Sequence, residues 1–138
     1  MLIFSHSRYH LPTLYIGMEH MRTHSFKLAE EFFMQAKITC PSDPLVYNEL
    51  GVIAYDTKEM YHQAISWYKR ALTLSNRSLN TYAGLAYTYH LQDNFAAAIS
   101  YYHKALWLKP DDQFCTEMLS FGLVGEGCHG VGSKIKIC

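Results

Sequence analysis

LNTYAGLAYTYHLQDNFAAAISYYHKALWLKPDD, residues 79–112, decides the fold of this 138-residue chain. Tyr82, Leu85, Ala86 and Tyr89 fall at i, i+3, i+4 and i+7, one face of an α-helix. Gln92-Asp93-Asn94 interrupts that pattern. Asp93 or Asn94 suits the cap of a new helix, because a short side-chain oxygen can accept from the unpaired N–H groups of a first turn. Phe95, Ala98, Ile99, Tyr102, Ala105 and Leu106 form a second apolar stripe at helical spacing. Pro110 has no N–H to donate and stops that helix. Asp111 and Asp112 are acidic residues placed where the N-terminus of a following helix favours them. The stretch predicts two short amphipathic helices joined by a turn.

The same pattern occurs twice earlier. In residues 10–43, Pro12 suits a first helical turn. Ile16, Gly17 and His20 take the places of Leu85, Ala86 and Tyr89. Thr23-His24-Ser25 reads as the turn, with Ser25 a candidate cap. Ala29, Phe33 and Ala36 match Ala98, Tyr102 and Ala105, and Pro41 matches Pro110. In residues 44–78, Tyr47, Leu50 and Gly51 match the first helix, and Ala64, Tyr68 and Ala71 match the second. Asn76 stands at the place of the closing proline. Gly17 to Gly51 is 34 residues and Gly51 to Ala86 is 35; the extra residue lies between Gly51 and Ala64. Two helices per unit at this period mark a helical solenoid. Gly17, Gly51 and Ala86 on first helices, with Ala29, Ala64 and Ala98 on second helices, let the two backbones of each hairpin approach closely.

These positions resemble the tetratricopeptide repeat (TPR) family, whose 34-residue unit carries an aromatic, Leu-Gly, Tyr, Ala, an aromatic, Ala and Pro at fixed offsets. The third unit is the fullest match, while the first has Thr13 and His20 at aromatic places. The implied architecture is an all-α TPR solenoid. It comprises an irregular segment over 1–9, an array over 10–121 (repeats 10–43, 44–78 and 79–112, then a capping helix over 113–121) and a flexible Gly-rich tail over 122–138. In the capping helix, Phe114, Met118 and Phe121 would cover the open end of the third repeat.

The wording is closer still to one branch of that family. SRYHLPTLYIGMEHMRTHSFKLAEEFFMQAKITCPSDPLVYNELGVIAY and TYAGLAYTYHLQDNFAAAISYYHKALWLKPDD look like the C-terminal TPR array of the subunit 6 family of the anaphase-promoting complex (cyclosome), its plant members in particular. The resemblance implies a non-catalytic scaffold subunit of a multi-subunit ubiquitin ligase that controls mitotic exit, with the cullin and RING modules on other subunits. It implies neighbouring TPR subunits as partners, a small subunit held in the groove of the repeats, and residence in nucleus and cytoplasm. The family's dimerising N-terminal repeats have no counterpart here. The family also carries more sequence between Tyr55 and Met60, so the second unit reads as a hybrid, its first helix from one ancestral repeat and its second from the next. A truncated or alternatively spliced product is the expectation. A generic TPR adaptor of another assembly is the alternative.

A TPR array binds on the surface lined by its first helices. The groove positions here are Leu14, Met18 and Met21 in the first unit, Asn48, Val52 and Tyr55 in the second, and Asn80, Tyr87 and His90 in the third, with Leu11, Leu45 and Ala83 beside them. Asn can pair with the backbone of an extended peptide, while Met and Tyr offer adaptable apolar contact. Each position could equally serve packing against the next helix. Leu14 and Met18 stand where TPR chaperone adaptors place Lys and Asn to clamp a carboxylate, so that function is not expected.

Composition supports no other class. Twelve basic and twelve acidic residues cancel, which provides no electrostatic case for nucleic acid or an anionic membrane. Nearly half the residues are hydrophobic, enough for a core. The eleven tyrosines read mainly as packing. The four cysteines are widely spaced with no CxxC, and MLIFSHSRYH lacks the basic start and apolar length of a signal peptide; a reducing compartment with free thiols is expected. No uncharged run is long enough to span a bilayer. His20 and His24 stand at i, i+4, but without a third ligand nearby or an HExxH; no metal or other cofactor is expected. Glu30-Glu31 reads as solvated surface and Asp111-Asp112 as a helix boundary. No nucleophile, phosphate-loop or paired-acid motif appears, so an enzyme is not expected.

Overall fold

The computed structural model describes residues 9–58 and 60–130. Among these residues there are seven α-helices and no strand: α1 (Leu11–Arg22), α2 (Phe26–Thr39), α3 (Pro44–Lys58), α4 (Tyr61–Leu74), α5 (Leu79–Leu91), α6 (Phe95–Leu108) and α7 (Gln113–Gly130). The chain divides into two compact units, Met1–Asn76 and Arg77–Cys138.

In the first unit, α1 pairs with α2 and α3 with α4, and α3 also packs on α2. The small residues explain how the hairpins close. A Cβ on Gly17 would stand 2.6 Å from the Phe33 ring, and one on Gly51 would stand 2.8 Å from the Tyr68 ring. Removing the Cβ lets an aromatic ring of the second helix lie directly on the first helix's backbone. Leu14, Ala29, Phe33, Ala36, Val46, Leu50 and Ile53 form the core, with Trp67 packed against it. Tyr47 donates its hydroxyl to the Pro41 carbonyl at 2.8 Å and receives the Arg70 guanidinium over its ring.

The turns show how each hairpin reverses. His24 and Asp93 both adopt positive φ, 63° and 61°. His24 N–H donates to Met21 and Ser25 N–H to His20; Asp93 N–H donates to His90 and Asn94 N–H to Tyr89. Both are Schellman motifs, with a non-glycine residue in the left-handed position. The α3–α4 turn differs. There Met60 N–H reaches back six residues to the Ala54 carbonyl, where Ser25 and Asn94 reach back five. The extra residue counted in the sequence is absorbed at this turn.

In the second unit the helix starts are capped by side chains. Ser78 accepts from Thr81 N–H, Asn94 from Ala97 N–H, and Asp112 from Cys115 N–H at 2.9 Å. Ser25, by contrast, sits at the start of α2 without a side-chain cap bond. Ala86, Ala98, Tyr102, Ala105 and Cys115 are buried together, with Tyr82, Tyr89, Leu106, Met118 and Leu119 around them. α7 packs on α6, as a helix following the third repeat should.

One expectation needs correction. The capping helix does not stop at Phe121 but continues to Gly130, so the flexible tail expected from Gly122 is helical over 122–130. That stretch holds no proline, and no glycine among the described residues adopts the left-handed φ that ends a helix. Glycine there costs about 1 kcal/mol per residue relative to alanine without stopping the ladder. Residues 131–138 of the expected tail, and 1–8 of the irregular segment, lie outside the described residues. His10 opens the array. It is 2% exposed, accepts the first bond of α1 from Leu14 N–H, and joins its Nε2 to the Asp43 carboxylate in the α2–α3 link.

Candidate partner-binding surface

The expected groove residues separate by burial. In the first unit Leu14 is fully buried and Asn48 is 7% exposed, so both are part of the packing. Met18 and Met21 lie half-buried over the core, and Val52 and Tyr55 are half-buried on α3. Four adaptable apolar side chains on first helices thus keep exposed surface.

In the second unit Asn80 is exposed, while Tyr87 and His90 are half-buried. His90 is held edge-on by Phe95 at 5.4 Å and Tyr102 at 6.3 Å, and its Nδ1 is buried without a partner among the described residues. It acts mainly as packing for the α5–α6 hairpin. Tyr87 meets His90 at 6.4 Å and also Phe114 of α7, whose ring lies 5.9 Å away in an edge contact. Phe114, expected as an end cover of the third repeat, is 44% exposed. It follows Asn80 by 34 residues, so the repeat period itself placed it on the same face as the groove positions.

The electrostatics are those of a packed scaffold. Burial raises the Glu49 carboxyl, an effect the Asn48 side-chain amide partly offsets. Burial also raises the Tyr68 and Tyr102 phenols, whose hydroxyls lack partners among the described residues. The Cys115 thiol is pushed up to about 12 by burial and by Asp112, which makes it a poor nucleophile at neutral pH. The backbone N–H of Cys115 holds Asp112 below the usual carboxylate range. His20 stacks on Phe32 and His24 meets Phe26 edge-on. Among the described residues no three His, Cys, Asp or Glu side chains are placed to hold a metal ion. No described helix is long and apolar enough to cross a membrane.

Two tetratricopeptide repeat models match residues 45–77 and 81–116, together half of the chain, over helix pairs of the geometry just described. The chain belongs to the tetratricopeptide repeat family. Within that family it is 58% identical to anaphase-promoting complex subunit 6 of Arabidopsis thaliana over 94% of its length. It is 30% identical to the human cell division cycle protein 16 homolog over 92%. The chain spans about a third of the length of these relatives, 31% and 28%. Among solved structures, the hetero-tetramer of anaphase-promoting complex proteins Cut9 and Hcn1 superposes with a TM-score of 0.78 at 28% identity, covering 85% of this chain and 24% of that one. The first TPR domain of human RPAP3 superposes with a TM-score of 0.81 at 15% identity, covering 86% and 92%, a likeness of TPR fold alone.

Proposed function

We propose that this TPR chain is a non-catalytic scaffold and partner-binding segment of the anaphase-promoting complex, the ubiquitin ligase of mitotic progression. The observation that carries the reading is the 58% identity to the plant subunit 6 over nearly the whole chain. The TPR array has the means. It presents half-exposed Met18, Met21, Val52 and Tyr55 in one unit, and Asn80, Tyr87 and Phe114 in the other. Unbranched thioethers and amphipathic rings adapt to an extended segment with little loss of conformational entropy for the rings. The partners are other subunits of the complex, including neighbouring TPR subunits and a small subunit lying on the first-helix face. The places of action are nucleus and cytoplasm. The catalytic work lies with other subunits.

Co-expression with recombinant subunits of the plant complex tests this. The expected result is co-purification of the folded chain with at least one subunit through size exclusion. A folded chain, verified by circular dichroism, that co-purifies with none overturns it.

A further inference from the structure

We infer that the α3–α4 hairpin is a fusion of two ancestral repeats, the first helix of one joined to the second helix of the next, and that the first-helix binding face of this chain is one helix shorter than in its plant and human relatives.

Two independent observations meet at this hairpin. The first is arithmetical. The alignment with the plant relative runs over 167 positions, yet 94% of this chain is about 130 residues, so about 37 positions of the relative face no residue here. Against the human relative the alignment runs over 172 positions and 92% of the chain is about 127 residues, leaving about 45. Each excess is close to one TPR unit of about 34 residues. With the Schizosaccharomyces pombe relative cut9 the alignment covers 110 positions and 75% of the chain, about 104 residues, leaving only about 6, so the missing unit is a difference from the plant and human relatives.

The second observation is geometric and locates the joint. The α1–α2 and α5–α6 turns close with the same five-residue Schellman bond, and the α3–α4 turn closes with a six-residue bond from Met60 N–H to the Ala54 carbonyl. The sequence register slips by one residue over the same interval, Gly51 to Ala64. A fusion there is tolerated because every repeat carries interchangeable contact positions. Gly51 receives Tyr68 as Gly17 receives Phe33, and Ala64 and Ala71 are buried as Ala29 and Ala36 are. A first helix from one repeat can therefore close on a second helix from another.

The consequence for binding is that α3 contributes Val52 and Tyr55 while the first helix that follows it in the plant and human relatives is missing. A partner segment held along those relatives' array loses one helix of contact here, a step of about 10 Å between neighbouring helices.

The segment of the plant relative that faces no residue here should begin with a second helix and end with a first helix. It therefore restores the alternation only at a turn within a hairpin. The test inserts that segment into the full chain at the α3–α4 turn and, separately, at the α2–α3 link between Pro41 and Asp43. The expected result at the α3–α4 turn is one cooperative thermal transition several degrees above the parent, with two helices' worth of added far-UV signal. At the α2–α3 link the expected result is a lower midpoint. A chain that is no more stable with the insert at the α3–α4 turn than at the α2–α3 link overturns the inference. The readout is folding, so failure to bind any complex subunit, which would defeat the functional reading, leaves this outcome untouched.

Discussion

Tyr68 and Tyr102 occupy the place that Phe33 takes in the first repeat, and all three are fully buried. The two phenols carry hydroxyls without partners among the described residues. An unmet buried hydroxyl costs about 1–3 kcal/mol. Tyr68→Phe and Tyr102→Phe should therefore keep or raise the thermal midpoint, and Phe33→Tyr should lower it, the three being compared by calorimetry. Glu49 has a consequence of opposite kind. Burial favours its protonated form, so the folded carboxyl titrates above its ordinary 4.5. Such a group contributes stability below the unfolded value, and that contribution is lost as pH rises through the folded one. Glu49→Gln should thus be more stable than the parent at pH 7, with the advantage closing as the pH falls through the raised folded value and gone below about 4.5. A constant advantage across pH 3–8 in denaturant titrations would contradict this. The buried His10 and Leu14 mark the limit of reading residues singly, since the Asp43 link meets the one and Phe33 and Val46 pack with the other.

Helix pairs were legible because their determinants are local. Apolar spacing, the terminal prolines and the caps at Asn94 and Asp112 act within a few residues. Turn conformation was less legible, because nothing in Thr23-His24-Ser25 announces a left-handed histidine. Positive φ costs a non-glycine residue about 1 kcal/mol or more. His24→Gly and Asp93→Gly should each stabilise the chain by up to about 1 kcal/mol, the relief of strain being partly cancelled by the entropy of the unfolded glycine. Unfolding in urea measures both; destabilisation by either would mean that the side chain contributes more than the φ strain costs. The length of α7 is hard to read from the sequence for a related reason. Glycine lowers helix propensity without forbidding a helix, so a glycine-rich composition is not a stop signal in the way a proline or a left-handed residue is.

For the molecule as a whole, the surface on the first helices is the functional question. Leu14 and Asn48 are packed, while Met18, Met21, Val52, Tyr55, Asn80 and Tyr87 keep exposure. Met18→Glu and Tyr87→Glu, checked for helical content, should each weaken capture of a complex subunit by about tenfold or more, since aromatic and flexible apolar anchors carry disproportionate energy at interfaces. Unchanged affinity in both, measured by titration calorimetry, would place the interface elsewhere.

The repeat, its period, its all-α class and its kinship are legible in the order of residues alone, because a solenoid is built from contacts between residues near one another along the chain. So is the slip of one residue in the second unit. Only the tertiary structure decided which groove positions remain open, because exposure depends on what a neighbouring helix covers. It also decided that the slip is taken up in the α3–α4 turn, because the small-residue seats under Phe33 and Tyr68 hold each hairpin in register and leave the turn as the place that can yield.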